Sequence, residues 1–246
     1  MENNKPYGIS LLSFKSKGLT LEMINKFNRI IFDFFNKKEI KPTYWGVDGK
    51  GFSEKLTKFT IRKLQNLEKK LFRDRDNKLI QGISYVVNHS NSDAPAYDGY
   101  LNVGIYFTEY NQTIQVYFMA NPKYLNFDIP YELFIKLTEI MTVDYGFVYF
   151  HNDYDHVSAV ILEYDDGKFE EDEYEKFFKW YRYSNEEKLK NIRDTYPIMF
   201  LNKKHYNNII KRLLNGKKYK KILIEDYLVC LTGHRYFDKC KEVINV

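Results

Sequence analysis

The run His151-Asn152-Asp153-Tyr154-Asp155-His156 places two imidazoles and two carboxylates close together, and imidazole with carboxylate is the ligand chemistry of transition-metal sites. Three of the four alternate onto one side of an extended chain. One reading is therefore a metal-dependent hydrolase with a site near 151–156, using His151, Asp153 and His156. The run matches no established metal-binding spacing, however. It also lies between apolar segments, where Asn and Asp serve turn geometry. A polar loop joining two strands accounts for it without a metal, and no metal is expected. The run Gly46-Val47-Asp48-Gly49-Lys50-Gly51 has the glycines of a phosphate-binding loop. It lacks both GxxxxGK[ST] and GxGxxG in a strand-to-helix setting, so it reads as a connecting loop. There is no GxSxG, HExxH or kinase-type set, and no serine carries the flanking glycines that would expose a nucleophile. The residues therefore favour binding over catalysis, with no catalytic residue and no cofactor expected.

Charge is a stronger signal than any motif. The net charge of the chain is +5. Residues 1–80 hold 18 Lys and Arg against 9 Asp and Glu, residues 81–180 hold 5 against 17, and residues 181–246 hold 15 against 7. An acidic middle thus separates two basic thirds. Its densest part, Asp165-Asp166-Gly167-Lys168-Phe169-Glu170-Glu171-Asp172-Glu173, is interleaved and flanked by Tyr154, Tyr164, Tyr174, Phe177, Phe178, Trp180, Tyr181 and Tyr183. Carboxylates steer a basic partner at long range, and Tyr or Trp anchors it on contact. The expected partner-binding set is Asp153, Tyr154, Asp155, Tyr164, Asp165, Asp166, Glu170, Glu171, Asp172, Glu173 and Trp180. The competing reading is an ordinary solvated acidic helix over core aromatics. On the basic side, Lys55, Lys58, Arg62, Lys63, Lys69, Lys70, Arg73 and Arg75 suggest a nucleic-acid-binding helix over 55–75. Glu54, Glu68, Asp74 and Asp76 interrupt it, and no nucleic-acid-binding signature accompanies it, so nucleic acid is the alternative partner and not the expected one.

The elements that must position these residues follow from hydrophobic periodicity. Tyr7 to Phe14 reads as a strand. Ile24, Phe27, Ile30, Ile31, Phe34 and Phe35 recur at helical spacing and predict a helix over 21–36. A loop carrying Trp45-Gly46 follows, and Ser53 is placed to cap a helix over about 54–72. The period then changes to two. Ile83, Tyr85 and Val87, then Leu101 to Phe107, then Ile114 to Phe118 predict a β-meander. Asp128 and Pro130 mark a helix ending near Asp144-Tyr145-Gly146, and Phe147 to Phe150 and Ala159 to Leu162 read as two strands. Ser184-Asn185-Glu186-Glu187 fits a capping box. Pro197 to Phe200 reads as a short strand and Asn202 to Leu214 as a helix stopped by Gly216. Lys221 to Ile224 with Leu228 to Leu231 forms a closing hairpin, and a last helix carries Phe237, Cys240 and Ile244. This order does not alternate as a doubly wound sheet would. The expected fold class is α+β, a mostly antiparallel sheet with helices packed against it.

No internal repeat or Pro/Gly/Ser linker divides the 246 residues, so 1–246 is read as a single domain. Hydrophobic residues at 44% with 29% charged suffice for a core without disulfide staples, and Cys230 reads as a buried strand residue. The segment Met1 to Pro6 has no basic run leading into an apolar one, and no stretch is long and apolar enough to span a membrane. The expectation is a cytoplasmic protein with no membrane partner.

Several local runs resemble the immunity proteins of bacterial polymorphic-toxin and type VI secretion systems, and in layout the group described as immunity protein family 52. They are Tyr44-Trp45-Gly46 after the first long helix, Gly99-Tyr100-Leu101-Asn102-Val103-Gly104 with Thr113-Ile114-Gln115-Val116, Asp144-Tyr145-Gly146-Phe147-Val148, and Leu228-Val229-Cys230-Leu231. The resemblance implies a cofactor-free α+β antitoxin that binds and silences one cognate toxin. It brings no catalytic residues. Together with the acidic section it makes a basic toxin protein the expected partner.

Overall fold

The computed structural model describes residues 5–50, 52, 55–73, 80–88, 99–122, 131–213, 219–224, 226 and 228–244. The expected strand and helix at the start are present as β1 (Tyr7–Ser13) and α1 (Leu21–Lys37). Thr20 caps α1 by accepting a bond from the Met23 amide, and Ile24, Phe27, Ile30, Ile31, Phe34 and Phe35 form its buried stripe. Asn28 is buried on the same helix, where its Oδ1 accepts from the Tyr85 hydroxyl at 2.9 Å.

The described residues form ten strands and eight helices. After α1 come β2 (Tyr44–Asp48), β3 (Thr57–Lys58), α2 (Ile61–Arg73), β4 (Gly82–Asn88), β5 (Gly99–Thr108), β6 (Thr113–Ala120), α3 (Tyr131–Thr138) and β7 (Tyr145–Phe150). They are followed by α4 (Tyr154–Leu162), α5 (Glu171–Arg182), α6 (Asn185–Lys188), β8 (Ile198–Asn202), α7 (Lys203–Leu213), β9 (Tyr219–Leu223), β10 (Leu228–Gly233) and α8 (His234–Ile244). All ten strands belong to one sheet, in the order β3-β2-β4-β5-β6-β1-β7-β8-β10-β9, and every ladder is antiparallel. The architecture is α+β, with helices on both faces of a mostly central β1.

Alternation along the strands separates two cores. On one face Ile9, Leu11, Val116, Phe118, Val148 and Phe200 pack with α1, α3 and α8. On the other, Leu12, Tyr117, Phe147, Met199 and Val229 pack with α4 and with Trp180 of α5. The α4 helix approaches β1 closely because Gly8 has no side chain there, and an added Cβ would collide with Ile161. Val157, Val160 and Ile161 are fully buried by this contact. Each such side chain contributes roughly 1.5–3 kcal/mol.

Ala159 to Leu162 is not a strand but the end of α4. The Asp153 side chain accepts from the Asp155 amide at 3.0 Å and starts the helix, and Glu163 ends it at φ 58°. A four-residue apolar run has no periodicity to distinguish a buried helix from a strand. Three smaller differences follow similar lines. Trp45 and Gly46 lie in β2, not a loop, and the second helix begins at Ile61, where Thr60 Oγ1 accepts from the Lys63 amide at 3.3 Å. The helix expected to run towards Asp144 stops at Thr138, while Tyr145 and Gly146 belong to β7. The expected signals at Ser53, Asp128, Pro130 and Gly216 lie outside the described residues. The capping box is as expected: Ser184 Oγ accepts from the Glu187 amide at 3.3 Å and Glu187 accepts from the Ser184 amide at 2.8 Å.

Candidate functional site

The fold divides the acidic stretch into carboxylates it uses internally and carboxylates it leaves in water. His156 is buried on α4, with Asp166 Oδ2 3.1 Å from Nδ1 and Glu173 Oε2 3.2 Å from Nε2. The other oxygen of Glu173 accepts from the Tyr149 hydroxyl at 3.0 Å. These contacts fasten the 163–170 loop and the start of α5 to α4 and β7. Burial alone would raise the Asp166 carboxyl, but bonds from the Lys168 amide and His156 outweigh it and hold it below the usual range. Asp153 is likewise lowered, chiefly by its 2.8 Å bond from Lys168 Nζ. Burial and then the Glu173 charge push the Tyr149 phenol upwards. Asp165 closes a turn by accepting from the Gly167 amide at 2.8 Å.

The residues expected to steer a partner thus differ in their exposure and in the bonds they make. Asp155, Glu170, Glu171 and Asp172 are exposed, whereas Asp153, Asp166 and Glu173 carry structural bonds. Glu171, Asp172 and Glu173 also occupy the first turn of α5, where negative charge is stabilised by the positive end of the helix dipole.

The aromatic set is rearranged as well. Trp180 is only 1% exposed; its Nε1 donates to Glu163 Oε1 at 3.1 Å, and its ring lies 5.0 Å from Tyr145 and 5.3 Å from Lys188 Nζ. The indole expected to anchor a partner is a core residue, because α5 turns its 177/180 side onto the sheet. Tyr154 is half-buried, and only Tyr164, at 44% exposure, stands out among the three expected anchors. In their place, Tyr174 and Tyr181 are 40% and 54% exposed. With Phe178 between them they follow i, i+4, i+7 spacing along one side of α5, and the Tyr174 and Phe178 rings are 4.3 Å apart. That spacing was readable in the sequence; which stripe faces outwards was not.

The metal reading is not assembled by this geometry. His151 Nδ1 accepts from the Asp153 amide at 3.1 Å, Asp153 binds Lys168, and His156 is held by Asp166 and Glu173. Among the described residues no group of three or more His, Cys, Asp or Glu is placed to hold a metal ion. The basic α2 exposes Arg62, Lys63, Lys69 and Lys70; Lys63 Nζ donates to the Lys58 carbonyl at 2.8 Å, and Lys70 Nζ lies 4.0 Å over the Phe52 ring.

No protein-family model and no curated protein matches the chain. Its fold is similar to that of a secretion-system protein. The solved structure is the Pseudomonas aeruginosa T6SS protein PA0821, with a TM-score of 0.55 and 13% identity, over 93% of this chain and 66% of that one. The chain thus spans just under two thirds of that protein's length. At this identity the likeness is one of fold. No helix among the described residues is long and apolar enough to cross a membrane.

Proposed function

We propose that the chain is an immunity protein that binds and neutralises a cognate bacterial toxin, and that it acts by binding and not by catalysis. The observation that carries this reading is the outer side of α5 and its approach. Tyr164, Tyr174 and Tyr181 are three of the six exposed large hydrophobic side chains among the described residues, and they share this region with exposed Asp155, Glu170, Glu171 and Asp172. Tyrosines supply apolar area with a polar tip, and clustered carboxylates favour a cationic partner. The fold likeness to a type VI secretion protein supports the same setting. The toxin is expected to be basic and the affinity about nanomolar or tighter, as suits an inhibitor.

Co-expression with the product of the adjacent gene, followed by co-purification and a protection assay, tests the proposal. A stable complex and survival of toxin-producing cells are expected. The second reading rests on the exposed cations of α2. It predicts salt-dependent binding of a random oligonucleotide at micromolar or tighter affinity near physiological ionic strength. That result, with no protein partner recovered, would overturn the immunity reading.

A further inference from the structure

The sheet face that carries α4 extends over β2, β4 and β5, and of the described helices only the end of α4, at Leu162, lines the cavity there. Registered rows of small residues clear a cavity there. One row runs Asp48–Gly82–Tyr106–Gln115 and the next Gly46–Ser84–Gly104–Tyr117, each residue directly opposite the next across the ladders. The two tyrosines lie flat on the glycines beside them. A Cβ on Gly82 would meet the Tyr106 ring, and one on Gly104 would come within 2.6 Å of the Tyr117 ring and hydroxyl. Their rings are near-parallel, 20° apart with centroids at 6.0 Å; Tyr117 is buried, so the half-buried Tyr106 ring forms the floor. The cavity above has a volume of about 510 Å3, within the range of small-molecule sites.

The polar groups lining this floor include the Ser84 and Thr108 hydroxyls, the Asn102 and Gln115 amides and the Asp48 carboxylate. Both hydrogens of the Gln115 amide are used, towards Ser10 Oγ at 2.9 Å and the Ile161 carbonyl at 2.6 Å, which leaves its oxygen. The Tyr117 hydroxyl donates to Asn102 Oδ1 at 3.2 Å. Among the described residues lining the cavity Asp48 is the one charged side chain, in a chain whose net charge is +5, and no described residue gives its carboxylate a hydrogen bond or ion pair. Tyr106 extends across Gly82 towards it. Burial raises the Tyr106 phenol, so its ring stays neutral at physiological pH and keeps the negative face that attracts cations.

We propose that this cavity binds a small organic cation of the guanidinium or alkylammonium class, with its charge held by Asp48 and its body on the Tyr106 ring. An anion finds no positive group among the described lining residues, and a neutral polyol leaves the carboxylate unmatched. The site is distinct from the acidic side of α5 and does not depend on the immunity reading.

Calorimetric titration of the full chain with argininamide and spermidine tests the proposal, with glucose and inorganic phosphate as neutral and anionic probes. Saturable binding of the cations alone is expected, and the amides of Gly46, Gly82 and Gly104 should shift in NMR spectra as they bind. Asp48→Asn should weaken binding at least about tenfold and Tyr106→Leu about fivefold, while Glu171→Gln leaves it unchanged. Absence of saturable cation binding to the unaltered chain, equal binding of glucose or phosphate, or equal loss in Glu171→Gln would overturn it. So would undiminished binding by a folded Asp48→Asn chain. Tighter binding of an acetyl-Ala-Arg-Ala-amide peptide than of argininamide would reassign the site to a protein side chain and overturn the small-molecule assignment.

Discussion

Reversing Glu170, Glu171 and Asp172 to Lys, with Glu173 left intact, isolates long-range steering from the internal network of Glu173, His156 and Tyr149. The three substitutions change the local charge by about six units; against one partner charge about 10 Å away, the Coulomb energy in water screened at each ionic strength gives the expected effect. Association should slow about 20-fold at 0.01 M salt, about fivefold at 0.1 M and less than about twofold at 0.5 M. Dissociation should change little, because rim charges act on encounter. Two of the three residues also lie in the first turn of α5, so a modest loss of about 0.3–1 kcal/mol each in helix stability is expected and should be checked by thermal melting. Stopped-flow mixing with the cognate toxin at the three salt concentrations measures the rates. If association and its salt dependence match the unaltered chain, and protection persists, the acidic side of α5 is a solvated face and the binding surface lies elsewhere.

Tyr174→Ala or Tyr181→Ala should cost about 2 kcal/mol of binding if the side chain is a central anchor, with no change in melting; equal affinity in both variants would remove the aromatic stripe from the interface. Trp180→Ala should instead cost roughly 3–5 kcal/mol in unfolding free energy measured by urea titration, since the buried indole leaves a cavity. Burial holds the His205 imidazole below its usual value of 6.5, so between the two values the unfolded chain binds more protons than the folded one. That contribution to stability is complete above about pH 6.5 and is lost as the pH falls; urea unfolding at about pH 7.5 and 5.5 should show the decline, and His205→Gln should flatten it. Limited proteolysis is expected to leave no pair of separately stable halves, in keeping with a single domain, and recovery of two such halves would contradict it.

Elements whose signal is local were legible in the residues. The α1 stripe follows from 3.6-residue spacing, the β4–β5–β6 meander from alternation, and the Ser184 capping box from two side chains three residues apart. Each depends on backbone geometry within one turn or one strand pair, so the order of residues suffices. The charge segregation that singled out residues 81–180 is equally a property of the chain alone.

What each acidic or aromatic residue does was decided by packing. Ala159 to Leu162 ends a helix that docks on β1 where Gly8 leaves room for Ile161, a contact between residues far apart in sequence. Trp180 went inwards and Tyr181 outwards because α5 docks by one particular side. Asp166 and Glu173 were drawn out of the solvent-facing set by His156, whose two ring nitrogens they meet only once α4, the following loop and α5 are assembled. The tyrosine floor over Gly82 arises in the same way, from cross-strand register. Short polar and aromatic residues carry no periodic signal of their own, and burial and partners belong to the tertiary arrangement that brings distant elements together.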